Sequence, residues 1–300
     1  MRKRIIADSI LLFVTFVWGV TFVIVQDAII IMPVFAFLSV RFLLAGALLF
    51  LPVLFISSQR KALFDRNIWR VGGMLGFWLF AGYALQTIGL LYTTPGKAGF
   101  ITGLYVVMVP ILSIFVLRSM PSKFAWLGVV AATVGLFLLA YNRSGGVNIG
   151  DVLEFFCAVS FTVQIVFVGK HTQRFASLPI TAIQITIVGV LSLVAGLVTH
   201  VDLGTSLHAL TNTTVINAVW INVLLATVLA YIAQMAFQKF TTATRTALVF
   251  SMEPVFAALS AYVLIRETMT PSALVGAALI LAGMLVAEFG GGEHAVRDST

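Results

Sequence analysis

Residues Tyr83 to Lys97 read YALQTIGLLYTTPGK, and Tyr231 to Arg245 read YIAQMAFQKFTTATR. Offset by 148 positions without a gap, Tyr83 meets Tyr231, Gln86 meets Gln234, Thr93-Thr94 meets Thr241-Thr242, and Lys97 falls on Arg245. The register runs on to Gly135: Arg118 falls on Arg266, Gly128 on Gly276 and Gly135 on Gly283. These matches are polar, charged or glycine in a chain that is 60% hydrophobic, where apolar identities carry little weight. A unit has been duplicated, and self-similarity at a fixed offset governs every later reading of the fold.

Only 10% of the 300 residues are charged, against roughly a quarter in soluble domains, and the mean hydropathy is +1.08. This composition predicts an integral membrane protein. The apolar runs are about 20 residues long, enough for roughly 30 Å of hydrocarbon at about 1.5 Å per residue. Alternation at period two is absent, so helices rather than a barrel satisfy the backbone. The net charge of +7 does not point to nucleic acid, because the basic residues sit in short loops between spans, as topology requires. Cys157 is the one cysteine; it excludes an internal disulfide and reads as packing material. The first 26 residues, opening on Arg2-Lys3-Arg4, imitate a signal peptide, but the run is too long and lacks a small-residue cleavage site.

Apolar runs set against breaks made by Pro, Gly and charges predict ten spans, near 8–26, 33–55, 69–92, 97–118, 123–141, 150–169, 179–199, 214–238, 245–265 and 271–289. Alternate loops collect fourteen Lys and Arg on one side against three (Lys97, Arg143, Arg266) on the other. The bias places both termini in the cytoplasm. Each copy holds five helices, an odd number, so the second enters the membrane from the opposite side. The expected fold is an all-α integral membrane protein of ten transmembrane helices, two inverted five-helix repeats around a central cavity. Residues 1–143 form the first repeat, 144–289 the second, and 290–300 a disordered cytoplasmic tail. Inverted repeats recur in secondary transporters, because halves of opposite orientation allow outward-open and inward-open forms of similar energy.

Several motifs point to one family. Trp18-Gly19-Val20-Thr21-Phe22, Arg41-Phe42, Tyr92-Thr93-Thr94 leading into Lys97-Ala98-Gly99-Phe100, Val109-Pro110, and Glu253-Pro254 followed by Glu267 together resemble the EamA family of the drug/metabolite transporter superfamily. The resemblance covers essentially the whole chain. It implies a ten-helix bundle with a central cavity, and export of small metabolites such as amino acids or related amphipathic compounds across the cell membrane. Arg266 stands where the family usually has Gly.

Charges inside hydrocarbon cost roughly 2.5–3.5 kcal/mol each on insertion scales, and two lie far from a predicted helix end. Arg41 and Glu253 are each about eight residues into a span, some 12 Å deep. Arg41 either bonds helix-end carbonyls and locks the bundle, or anchors a carboxylate or phosphate, which a planar guanidinium suits. Glu253 either bonds a neighbouring helix, or binds a substrate ammonium or exchanges a proton; Pro254 beside it would free a backbone carbonyl in that helix. Tyr83 and Gln86 share one helix face, as do Tyr231 and Gln234; they line the cavity or bond between helices. Trp78 and Trp18 either add an aromatic wall to the cavity or merely pack. Lys97 and Arg245 begin their spans and either snorkel to the interface or serve as mouth charges for acidic substrate groups. Glu154, near an outer helix end, is either a further candidate of this kind or simply solvated.

A catalytic constellation is missing: His171, His200, His208 and His294 are all expected in loops or the tail, and no His-Glu-x-x-His motif exists. No enzyme, cofactor or metal is therefore expected. A channel would need a filter loop or rings of like charge, and no nucleotide-binding loop is present, so transport is expected to run on gradients. Metabolite export and proton-coupled multidrug efflux both fit. The expected partners are a small-molecule substrate and the lipid bilayer, with no nucleic acid, in a monomer or weak homodimer.

Overall fold

The computed structural model describes residues 2–140, 148–266 and 270–290. The expected repeat boundary at 143/144, Arg143, His294, Glu267, and the tail beyond Gly290 lie outside them. The helices are α1 (Arg2–Ile31), α2 (Val34–Phe55), α3 (Ser57–Ala62), α4 (Arg66–Gly89), α5 (Pro95–Thr102), α6 (Tyr105–Leu117), α7 (Lys123–Ala140), α8 (Ile149–His171), α9 (Ser177–Val198), α10 (Leu203–Ala209), α11 (Thr213–Ile221), α12 (Ala230–Phe237), α13 (Ala243–Phe250), α14 (Glu253–Ile265) and α15 (Pro271–Gly290). A π-helical segment, Asn222–Leu229, joins α11 to α12. No strand occurs among the described residues, as hydrocarbon demands of a chain that must satisfy its backbone within each segment.

Among the described residues, eight stretches are long and apolar enough to cross a membrane: Ile5–Ile31, Val34–Phe55, Arg66–Gly89, Pro95–Leu117, Ile149–His171, Ser177–Val198, Thr213–Phe240 and Ala243–Leu264. The other two expected spans, 123–141 and 271–289, correspond to shorter apolar helices, Lys123–Leu138 and Pro271–Ala287. Two spans expected to be continuous are broken. The stretch at 97–118 divides into α5 and α6 at Gly103-Leu104, and that at 245–265 divides into α13 and α14 at Ser251-Met252. At each break an i→i−3 bond tightens the turn, Leu104 N to Ile101 O and Met252 N to Val249 O, both 3.1 Å. Hydropathy did not reveal this, since Pro95–Leu117 and Ala243–Leu264 each read as one apolar stretch across the break. Pro254 consequently sits second in α14, where a missing N–H goes unnoticed, and frees no carbonyl in mid-helix. His171 ends α8 and His208 lies in α10, rather than in loops.

Local chemistry sets the helix starts. Thr94 and Thr242 cap α5 and α13 by accepting the backbone N–H of Lys97 and Arg245 at 3.3 and 3.2 Å. Asn148 and Asp151 form a capping box at α8. Arg118 and Arg266, paired by the 148-residue offset, both take left-handed backbone, with φ of 52° and 55°, a region strained for any residue with a Cβ. The glycine usual in the family at the second position fits that geometry.

Glycines bring the helices together, since lipid offers apolar helices no hydrophobic reason to associate. The α7–α15 contact is backbone on backbone: a Cβ on Gly128 would lie 2.5 Å from Gly283 O, and one on Gly135 would lie 2.5 Å from Gly276 O. Gly46 of α2 meets Thr186 of α9 while Gly189 of α9 meets Leu43 of α2. Gly72 and Gly76 of α4 receive Ile183 and Ile187, and Gly19 of α1 lies against Glu253 O and Ala257 N of α14. Large apolar side chains such as Phe55, Phe115 and Val263 point outward, more than two-thirds exposed, as a lipid-facing surface requires.

Candidate functional site

A cavity lies where α1, α2, α4, α6, α8, α12, α13 and α14 converge, with about 640 Å³ of empty space, any adjoining solvent included. At its centre the Tyr231 hydroxyl donates to the Tyr83 hydroxyl at 2.8 Å. Aromatic rings brace the pair: Trp18 lies 5.5 Å from Tyr231 and 5.0 Å from Phe250, and Phe161 and Phe42 lie 5.5 and 4.8 Å from Tyr83. Trp18 Nε1 donates to Ala226 O in the π-helical segment at 2.9 Å. That widened turn also presents Thr227, whose Oγ1 accepts from Arg41 Nε at 3.0 Å, so a local departure from the α-helix supplies acceptors to two cavity residues.

Arg41 is buried, and its guanidinium lies 4.8 Å from the ring centres of both Phe42 and Tyr83. Such desolvated cation–π contacts contribute about 2 kcal/mol and help hold a charge at this depth. Glu253 opens α14 just past the break; its Oε2 accepts from Tyr105 Oη at 3.4 Å. Arg41 and Glu253 line one cavity but form no ion pair with each other. The cavity thus presents a guanidinium and a carboxylate at separate points on an aromatic wall.

Amides complete the lining. Gln234 Nε2 donates to Gln164 Oε1 and Gln238 Oε1, both at 3.3 Å, and Gln238 Nε2 donates to Ile165 O at 2.8 Å. Gln86 Nε2 reaches Thr102 Oγ1 at 3.5 Å, and Thr102 in turn donates to Glu154 Oε2 at 2.8 Å.

Of the residues singled out in the sequence, Arg41, Tyr83, Gln86, Tyr231, Gln234 and Glu253 come together here, as does Trp18. Trp78 does not: its neighbour Leu79 faces the cavity, and the Trp78 ring packs edge-on against Phe77 at 5.6 Å. Successive helical residues point about 100° apart, so an error of one position suffices. Lys97 Nζ meets Asp151 Oδ2 at 2.6 Å, so its charge is paired at the start of α8. Arg245 is buried on the wall of a second cavity together with Asp8 and Leu248. Glu154 is not solvated at all: it is wholly buried against Gly89, where a Cβ would lie 2.9 Å from Oε1. Asp151, Glu154, Phe161 and Gln164 recur at helical steps on one face of α8, and that periodicity was the available signal. Among the described residues no group of His, Cys, Asp and Glu is placed to hold a metal ion.

A sequence profile of the EamA-like transporter family matches residues 5–141 and again 148–288. An uncharacterized transporter of Archaeoglobus fulgidus is 35% identical over 286 residues, spanning 95% of this chain and 86% of the relative. The uncharacterized transporter YvbV of Bacillus subtilis is 28% identical over 189 residues, 62% of this chain and 61% of the relative. A solved crystal structure shares the fold at a TM-score of 0.79 and 18% identity, covering 97% of this chain and 100% of that one.

Proposed function

The chain belongs to the EamA-like transporter family, and from that membership we propose that it exports small metabolites, amino acids or related amphipathic compounds, across the cytoplasmic membrane by alternating access. The observation that carries this reading is the central cavity, to which both matched segments contribute and in which cationic, anionic and aromatic groups converge. Arg41 would take a carboxylate, Glu253 an ammonium group, and the rings the apolar body between them.

Inverted halves, 1–143 and 144–289, are the architecture this reading requires. Residues near the axis relating two such halves meet their own counterparts, and pairs away from it contact reciprocally. Tyr83–Tyr231 and Tyr105–Glu253 are each 148 residues apart, the offset of the repeated sequence. Gly128–Gly283 and Gly135–Gly276 are reciprocal in the same offset. Both patterns support ten crossings and a pseudo-two-fold axis in the membrane plane. The basic residues favour cytoplasmic termini.

The test is transport itself. Inside-out vesicles containing the protein are expected to accumulate labelled amino acids above empty-vector vesicles, and its overproduction should protect cells selectively against one class of toxic analogue. No difference across a panel of amino acids and amphipathic drugs would overturn the reading. Gln86→Ala and Gln234→Ala should each lower the initial rate about fivefold, the effect of losing roughly 1 kcal/mol of hydrogen bonding, with yield of folded protein unchanged. Normal rates in both would return these amides to packing. Proton-coupled multidrug efflux is the second reading, favoured by a buried Glu253 that pairs with no basic side chain among the described residues.

A further inference from the structure

The ion pair Lys97–Asp151 and two residues that share a cavity wall, Asp8 and Arg245, occupy equivalent positions near opposite ends of α1. Lys97 is the third residue of α5 and Arg245 the third of α13, each capped by a threonine three positions earlier. Their acidic neighbours are also related. Trp18 lies on Tyr231 as Phe161 lies on Tyr83, both at 5.5 Å, which puts the start of α8 in register with that of α1 at an offset of 143. Gly46 and Gly189 obey the same offset in their reciprocal α2–α9 contacts. Under it Asp8 corresponds to Asp151.

Asp151 draws three groups together: Lys97 Nζ at 2.6 Å, Thr93 Oγ1 at 3.2 Å and the backbone N–H of Asn148 at 2.9 Å. It ties the first turn of α5 to the first turn of α8, directly above helices whose continuations line the central cavity. Gln26 donates to Leu90 O and Thr93 O at 3.2 and 3.4 Å, so this couple sits beside the Gln26 end of α1. Asp8 is 18 residues back along α1, about 27 Å away. There Asp8 and Arg245 are both buried on the wall of the second cavity, with Leu12, Leu248 and Met284.

We propose that Lys97–Asp151 and Asp8–Arg245 are matched clasps, one closing each end of the bundle, and that release of one opens the central cavity from that end alone. The proposal rests on the alternating-access reading and adds the residues that govern it. A solute can reach Tyr83 and Tyr231 from the Lys97 end only if α5 parts from α8, and Asp151 joins those two helices. The equivalent motion at the far end separates α13 from α1. An ion pair that is partly dry holds a closed end more firmly than an exposed one, yet parts once its members are rehydrated, which suits a contact that must form and break in each cycle.

The lone cysteine provides the test. Cys157 is fully buried two turns inward of Asp151, 3.9 Å from Thr102 Oγ1. Labelling by a membrane-impermeant maleimide, applied to each face separately, reports opening at the Lys97 end. Lys97→Gln, which leaves the Asn148–Asp151 cap intact, should speed labelling about tenfold, equivalent to roughly 1.4 kcal/mol, and from one face only. The exchanged pair Lys97→Asp with Asp151→Lys should restore slow labelling. Asp8→Asn and Arg245→Gln should leave Cys157 slow. They should speed labelling from the other face when the reporter is Val14→Cys in a Cys157→Ser chain, position 14 being the buried counterpart of 157. Labelling unchanged by either couple, or raised from both faces by either, overturns the proposal. Solute uptake by wild-type vesicles separates the two failures: uptake with unaltered labelling removes only the clasps, whereas absent uptake removes the transport reading.

Discussion

Glu253→Gln is expected to reduce uptake driven by a pH gradient to the rate of empty vesicles. The side chain lies at the break between α13 and α14, faces the central cavity and, among the described residues, is hydrogen-bonded only by the Tyr105 hydroxyl, at 3.4 Å. No lysine or arginine pairs with it among the described residues. A carboxylate in so dry a place is costly unless a cation accompanies it, and a proton or a substrate ammonium group can fill that role in alternation. Glutamine keeps the size and the acceptor for Tyr105 while removing ionisation. Counterflow of unlabelled against labelled solute, which needs no gradient, should survive in the same variant. Uptake driven equally well in wild type and variant would eliminate proton coupling and leave exchange or facilitated export.

Gly283→Val should cost the protein most of its folded yield. A Cβ at this position would stand 2.6 Å from Gly128 O and 3.1 Å from Ala132 N, so the obstacle is backbone, which no rotamer change relieves. Overpacking in rigid surroundings costs typically 1–3 kcal/mol and sometimes more; here α7 and α15 must separate along their length, and about 3 kcal/mol or above is expected. Gly73→Ala is the control. Nothing lies within 4 Å of a Cβ there, and alanine favours a helix by up to about 1 kcal/mol over glycine, so its melting temperature should hold or rise. Equal melting of the two variants in detergent would mean that the close α7–α15 approach does not exist.

The membrane class and the duplicated polar residues were legible before any coordinates, because charge and hydropathy act on the whole chain and a repeated glutamine in an apolar span has few packing explanations. Arg41 and Glu253 stood out for the same reason. What stayed hidden depends on rotation and depth. Trp78 and Leu79 are one residue apart, yet only the second faces the cavity. Glu154 lies near a helix end by hydropathy but beneath Thr102 and Gly89 in space, and Lys97 finds an aspartate 54 positions away. The π-helical segment at Asn222–Leu229 shifts the register of its helix without any proline or glycine inside it to announce the change.

The contact between Tyr105 and Glu253 carries an evolutionary consequence. Residues 148 apart meet near the middle of the molecule, and at Tyr83 and Tyr231 the two are still identical and share a hydrogen bond. Had the two halves remained separate products of one short gene, assembling as antiparallel homodimers, every such position would face its own copy. A glutamate there would confront a second glutamate, and two facing carboxyls could not both ionise. In one polypeptide a single copy carries the acid while the other carries a phenol that donates to it. The lone carboxyl at the centre is therefore an asymmetry that two identical halves could not carry.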